Sequence, residues 1–353
     1  MKMTTKVQPR ISTIRRLAPF LAVLVIGTAV FLIGACSSLP KNELNQRLRA
    51  LGKNAPLCEL ERLSFTADLG DGPQQWELVY HHTEATNPVD SVPVVLVHNT
   101  PSTLYSWTEI ILGSPGDAER PAFAGLGVER DVYAIEIIGH GVAPGDASPT
   151  TFERCARFVT AAIRALELER VHLVGSSYGG EFVWRAALNE PELIESLTVI
   201  DSSGIRRRDG DWLPEEVVMR NNWLAKIGWM INSRERVETA LAPHFRKLPP
   251  DRVDEFFLVC ENAANWKAMI DLVIDENGDR ENELGNIEPR TLVLWGADDL
   301  AYSLEYYGQK FASEIPGAEL VAIPNCGHYP QEERPDEVVR VLSRFFSGLK
   351  NAL

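Results

Sequence analysis

The apolar run Val171-His172-Leu173-Val174 leads straight into Gly175-Ser176-Ser177-Tyr178-Gly179, and Gly180 to Leu188 then reads as helix. A G-x-S-x-G stretch between a strand and a helix is a sharp turn that lifts its central residue clear of the sheet. The two glycines allow the tight backbone path. Ser177 is therefore the candidate nucleophile, standing at the carboxyl end of a strand. Gly and Ser also cluster in ordinary turns; the β-branched and aliphatic residues before the pentapeptide and the helix after it favour the catalytic reading.

A neutral serine hydroxyl needs a base to take its proton, and an imidazole base needs an anion to fix its tautomer. Both partners follow later in the chain. Arg290-Thr291-Leu292-Val293-Leu294-Trp295-Gly296 reads as a buried strand followed by Ala297-Asp298-Asp299, and Leu320-Val321-Ala322-Ile323-Pro324 as another followed by Asn325-Cys326-Gly327-His328. Ser177, Asp299 and His328 thus each lie just past a strand end, where an open α/β sheet gathers its site. Asp298 reads as a solvated turn carboxylate, and Asp201, after Leu197-Thr198-Val199-Ile200, is the other candidate acid. His81, His82, His172 and His244 read as surface or hydrogen-bonded structural residues.

The order Ser…Asp…His, with four separated blocks, resembles the α/β-hydrolase superfamily. The blocks are His98-Asn99-Thr100-Pro101, Gly139-His140-Gly141, the elbow, and Trp295-Gly296-Ala297-Asp298-Asp299 with Gly327-His328. The resemblance points to the capped branch of haloalkane dehalogenases, epoxide hydrolases and carbon–carbon bond hydrolases. Pro101-Ser102-Thr103-Leu104-Tyr105-Ser106-Trp107 is similar to the dehalogenase run after the first block. Ser177 replaces the Asp nucleophile of dehalogenases and epoxide hydrolases, and Thr100 stands where dehalogenases place a halide-binding Asn. Both changes argue against dehalogenation. Asn99 replaces the usual Gly and tolerates left-handed backbone. The resemblance further implies that the N–H groups of Thr100 and Tyr178 form the oxyanion hole, and that His98 and His140 brace their loops.

With 353 residues and 45% hydrophobic content the chain can bury a sizeable core. Strands alternating with helical stretches at 152–168, 181–188 and 336–347 predict an α/β-hydrolase fold: a mostly parallel central sheet covered by helices, with a helical cap insertion. The expected division is a signal sequence at 1–35, a tether at 36–60 starting a helix near Glu43, a core at 61–203 and 288–353, and a cap at 204–287. Trp212, Trp223, Trp229 and Trp266 in the cap are candidate substrate-binding residues; aromatic residues in such a lid more often pack against the core.

Lys2, Lys6, Arg10, Arg15 and Arg16 precede an apolar run from Leu17 to Ala35, with no acid before Cys36. This is the layout of a secretory signal. Ile33-Gly34-Ala35-Cys36 resembles a bacterial lipobox, making Cys36 the lipidation site and the cell envelope the expected address, with the catalytic domain outside the cytoplasm. No Asp follows Cys36, which points to the outer membrane. An uncleaved transmembrane anchor is the competing reading. Removing residues 1–35 takes five positive charges and no negative ones from the total of −14, leaving −19. So acidic a domain disfavours nucleic acid as a partner. Cys58, Cys155, Cys260 and Cys326 permit three full disulfide pairings. Their spacing lacks a metal-site pattern, and neither metal nor cofactor is expected. Cys326 reads as a packing residue.

The sequence thus predicts a membrane-tethered serine hydrolase that cleaves a carboxylic ester or similar acyl bond of a small-molecule substrate through an acyl-enzyme. The same three residues also suit a carbon–carbon bond hydrolase or a prolyl-type aminopeptidase. A non-catalytic envelope or binding protein is the reading from another class; it predicts a damaged triad, and the sequence shows none.

Overall fold

The structure is a computed structural model that describes residues 38–51, 57, 59–116, 120–145, 149–208, 210–211, 220 and 232–348. The expectations for the signal sequence, Cys36, Cys58, Trp212, Trp223 and Trp229 lie outside the described residues.

Eight strands form the central sheet: β1 (Glu61–Asp68), β2 (Pro73–Thr83), β3 (Val94–Val97), β4 (Val132–Ile135), β5 (Val171–Ser176), β6 (Ile194–Ile200), β7 (Arg290–Gly296) and β8 (Glu319–Ile323). Their spatial order is β1-β2-β4-β3-β5-β6-β7-β8. β1 and β2 run antiparallel to their neighbours, and every pair from β4 to β8 is parallel. All six residues of β5 are buried, as a strand covered on both faces requires. Its alternate side chains serve two cores: Leu173 packs with Phe158 and Phe182, while Val174 packs with Trp107 and Leu342.

Helices α2 (Phe152–Ala165) and α3 (Tyr178–Asn189) cover one face, and the C-terminal helix α7 (Pro335–Phe346) covers the other. In α7 the buried Val338, Leu342 and Phe345 repeat at helical spacing and form its apolar stripe. The Thr151 side chain caps α2 by accepting from the Arg154 N–H at 3.2 Å.

The register sets strand ends level. Val97 of β3 lies beside Gly175 of β5, Ser176 beside Ile200 of β6, and Gly296 of β7 beside Ile323 of β8. The loops after β3, β5, β6, β7 and β8 therefore leave the sheet along one edge.

A helical cap inserts between β6 and β7, and its described helices are α4 (Arg234–Leu241), α5 (Pro250–Glu261) and α6 (Ala263–Asp275). Val237, Leu241, Phe245, Val253 and Phe256 form a small apolar core that closes on Tyr329, the residue after His328. The segment expected as a tether carries a docked helix, α1 (Lys41–Ala50). Its Leu44 and Leu48 are fully buried, Asn45 accepts from the Tyr105 hydroxyl at 2.9 Å, and the Leu39 N–H donates to the Glu261 carbonyl at 3.2 Å. No helix among the described residues is long and apolar enough to cross a membrane.

Candidate active site

Ser177 ends β5 and opens α3 with φ 54° and ψ −121°, left-handed backbone that a side chain adopts at a cost of about 1–3 kcal/mol. The surroundings hold it there. Its N–H donates to the Ile200 carbonyl at 2.8 Å, and its carbonyl accepts from the Ser203 N–H at 3.2 Å. The elbow glycines supply room rather than a positive φ. A Cβ on Gly175 would collide with the Gly179 carbonyl, and one on Gly179 would collide with the carbonyl of His98. The helix start thus presses against the end of β3, which brings the Thr100 loop beside Tyr178. Asn99 does not use the left-handed region; among the described residues the non-glycine ones that do are Glu167, Ser177, Asp201 and Asn325.

Three side chains far apart in sequence meet at this edge. Nε2 of His328 lies 3.0 Å from the Ser177 hydroxyl, and Nδ1 lies 2.8 Å from Oδ2 of Asp299. All three residues are buried, so these contacts act in a medium that screens charge poorly. Asp299 Oδ1 accepts the N–H groups of Ala301 at 2.7 Å and Tyr302 at 3.2 Å. Burial works against the Asp299 charge, yet His328 beside it and these donors hold its carboxyl below the usual range. Asp298 points away, 40% exposed, with Arg246 at 3.4 Å.

Sequence reasoning treated the acid as a choice between carboxylates; the fold uses two. Asp201, at φ 43° beyond β6, is fully buried and turns its carboxyl to Asp299, with Oδ1 and Oδ2 accepting the Gly296 N–H at 3.0 and 3.2 Å. Burial, then the charge of Asp299, pushes the Asp201 carboxyl well above its ordinary value. Ligand atoms of Asp201, Asp299 and His328 all lie within 4.8 Å of one another. The 2.8 Å between Asp299 Oδ2 and His328 Nδ1 is a direct hydrogen bond. Two ligands of one tetrahedral zinc, each ~2.0 Å from the ion, would stand roughly 3.3 Å apart.

His244, set aside from the sequence as structural, sits in the cap against the site. Its ring centroid is 5.5 Å from that of His328, and its carbonyl accepts the His328 N–H at 2.8 Å. Burial, then the nearby His328, lowers its pKa to about 3, which keeps it neutral. Glu276, just past α6, was missed altogether. It accepts from the hydroxyls of Tyr178 and Tyr302, each at 2.8 Å, and from Arg207 Nε at 3.0 Å, tying the cap to both ends of the site. Neither residue had a local sequence signal, since each acts through partners distant in the chain.

The remaining residues fall into place. His98 Nδ1–H donates to the Asn99 carbonyl (2.7 Å), and its Nε2 accepts the Ile137 N–H (3.3 Å). His172 bonds Ser196 at 2.7 Å and stacks on Phe346. His140 is buried in its turn. Thr100 is buried, and Trp266 is half-buried on α6. Cys155, Cys260 and Cys326 are buried and form no disulfide among the described residues; burial, then Glu333, raises the Cys326 thiol far above its usual range, which fits a packing role.

A family model described as "Alpha/beta hydrolase family" matches residues 94–341. The chain belongs to the alpha/beta hydrolase family. Among relatives of this hydrolase, the uncharacterized hydrolase YugF of Bacillus subtilis is 27% identical over 203 residues, 55% of this chain and 72% of that protein. A 2-hydroxy-6-oxo-6-phenylhexa-2,4-dienoate hydrolase of Comamonas testosteroni is 28% identical over 193 residues, 54% of this chain and 67% of that protein. Further relatives from Burkholderia and Pseudomonas carry names of the same kind. A solved membrane phospholipase A superposes with a TM-score of 0.65 at 22% identity, covering 96% of this chain and 99% of its own, a likeness of fold.

These findings correct two expectations. Structures of similar fold include an esterase, an epoxide hydrolase and a meta-cleavage product hydrolase, so the resemblance reaches the superfamily and not one capped branch modified only by a serine. Its acidic centre is the pair Asp201 and Asp299 on one imidazole, where a single acid was expected. The carboxylic-ester reading also gives way. The curated relatives are repeatedly named as hydrolases of 2-hydroxy-6-oxo-dienoates, dienedioates or 2-hydroxymuconate semialdehyde.

Proposed function

We propose that this alpha/beta hydrolase cleaves a carbon–carbon bond in a small vinylogous diketone, of the kind the dienoate-hydrolase relatives are named for. The reaction class rests on one observation, the imidazole of His328 held between the Ser177 hydroxyl at 3.0 Å and the Asp299 carboxylate at 2.8 Å. The substrate class rests on the relatives.

In this reading His328 takes the Ser177 proton as Oγ adds to the ketone carbonyl, while Asp299 stabilises the imidazolium. The N–H groups of Thr100 and Tyr178 receive the oxyanion. With the dienol first tautomerised to its keto form, which moves the enol proton to the carbon next to the ketone, the intermediate collapses by breaking the bond to that carbon. That carbon leaves as a dienolate, its charge delocalised into the conjugated acid, and takes the proton back from His328. Water, activated by the same imidazole, then hydrolyses the acyl group from Ser177. The half-buried Trp266 of α6 is proposed to contact the apolar part of the substrate.

The test is turnover of 2-hydroxy-6-oxo-6-phenylhexa-2,4-dienoate, followed by loss of its visible absorbance. Ser177→Ala is expected to lower kcat by on the order of 10⁶. Wild-type enzyme that hydrolyses p-nitrophenyl acetate but leaves the dienoate untouched would refute the substrate class. Undiminished activity in Ser177→Ala would refute the nucleophile.

We also propose that the segment ending at Cys36 directs the protein to the bacterial cell envelope with the catalytic domain outside the cytoplasm, on the strength of its basic start, apolar run and lipobox-like end.

A further inference from the structure

Two carboxylates that touch in a dry site cannot both carry charge without a cation between them. Asp201 and Asp299 are such a pair: both are buried, and their carboxyl groups face each other. Asp299 carries the stronger claim to the charge, because His328 and the N–H groups of Ala301 and Tyr302 all point at it. Asp201 has one backbone donor, the Gly296 N–H, shared between its two oxygens. The other titratable groups facing Asp201 are Glu333, on the short helix Pro330–Glu333, and the Cys326 thiol beyond β8. A charged Glu333 would repel a second charge, and the neutral Cys326 thiol offers none to balance it. His244 approaches from the cap side of His328 and is neutral.

We propose that Asp201 is a positioning residue that works as a neutral carboxylic acid, its hydroxyl donating to the Asp299 carboxylate so that Asp299 is held against His328 with moderated basicity. It rests on the reading of Ser177, His328 and Asp299 above but uses a different property, the proton between the two acids. The backbone placement supports it. Asp201 pays for a left-handed φ of 43° at the end of β6, and that conformation aims its side chain across β7 at Asp299 rather than into solvent.

Two measurements test this, one of them independent of turnover. The first compares stability of the wild type and Asp201→Asn in urea between pH 4 and pH 7. A carboxyl whose pKa is raised by folding stabilises the fold fully below its unfolded value near 3.9 and loses that contribution as pH rises towards the folded value. The isosteric amide has no such dependence. Asp201→Asn should therefore gain on the wild type by up to about tenfold in folding equilibrium constant per pH unit. A gap that stays flat or narrows would overturn the proposal.

The second follows kcat/KM against pH. Asp201→Asn keeps a donor towards Asp299 and should leave the acid limb within about 0.3 units of wild type. Asp201→Ala removes the donor, makes Asp299 more basic and should move the limb upward. A downward shift of a full unit in Asp201→Asn would mean that a charge had been removed, and the proposal would fail. An unmoved limb in a folded Asp201→Ala would also sink it. If Ser177→Ala retains activity, the catalytic reading fails instead, and the urea series still decides the state of Asp201.

Discussion

Asp299→Asn changes almost no shape, and its cost follows from what each oxygen touches. Oδ1 accepts two backbone N–H groups, at 2.7 and 3.2 Å, and Oδ2 faces His328 Nδ1 at 2.8 Å. An amide has a single acceptor atom. If that oxygen keeps the backbone donors, the NH2 group points at Nδ1 and favours the imidazole tautomer with its proton on Nε2. That nitrogen can no longer take the Ser177 proton. In serine proteases this tautomer error costs about 10⁴ in kcat, or about 5.5 kcal/mol. If the amide turns over, the tautomer is rescued but two buried N–H donors face an NH2 group, at about 1–3 kcal/mol each. The cheaper arrangement sets the loss, so the fall in kcat/KM lies between about 30-fold and about 10⁴-fold. Asp298→Asn is the internal control. Its side chain is 40% exposed and its ion pair with Arg246 spans 3.4 Å, worth less than about 1 kcal/mol; activity should stay within about twofold. Both variants are assayed on the dienoate and on an activated ester, with urea melts to establish folding. Asp299→Asn retaining more than a third of activity, or Asp298→Asn proving the worse of the two, would refute the assignment.

Glu276→Gln should destabilise the protein by about 3–5 kcal/mol in urea, because it removes the charge from a pair with Arg207 whose side chains are only 1% and 2% exposed. A loss below ~1 kcal/mol would mean the cap does not depend on this clamp. Cys36→Ala should abolish labelling by a fatty-acid probe and leave the folded domain catalytically unchanged; persistent labelling would remove the lipobox reading.

Much of this architecture could be read locally. The helix expected over 152–168 runs over Phe152–Ala165, the one over 336–347 over Pro335–Phe346, and β7 begins and ends at the expected residues. Period and caps decide such elements within a few turns of chain. The elbow glycines were legible as well, though their purpose was not. They are needed where the Gly179 and His98 backbones approach, a contact no five-residue pattern can display. The ester expectation drew on the generic competence of a serine hydroxyl, which leaves the bond to be cleaved open; relatives redirected it.

The chain alone determined a strand–turn–helix around Ser177, a later acid and a later imidazole in hydrolase order, and a sheet able to carry them, because each is written in neighbouring residues. Only the tertiary structure decided that Asp201 shares the site with Asp299, that the His244 carbonyl holds His328, and that Glu276 ties the cap to Tyr178 and Tyr302. Those relations depend on strand register and on burial. Burial sets which of two adjoining carboxyl groups keeps its proton, and it exists only once the distant segments have packed together.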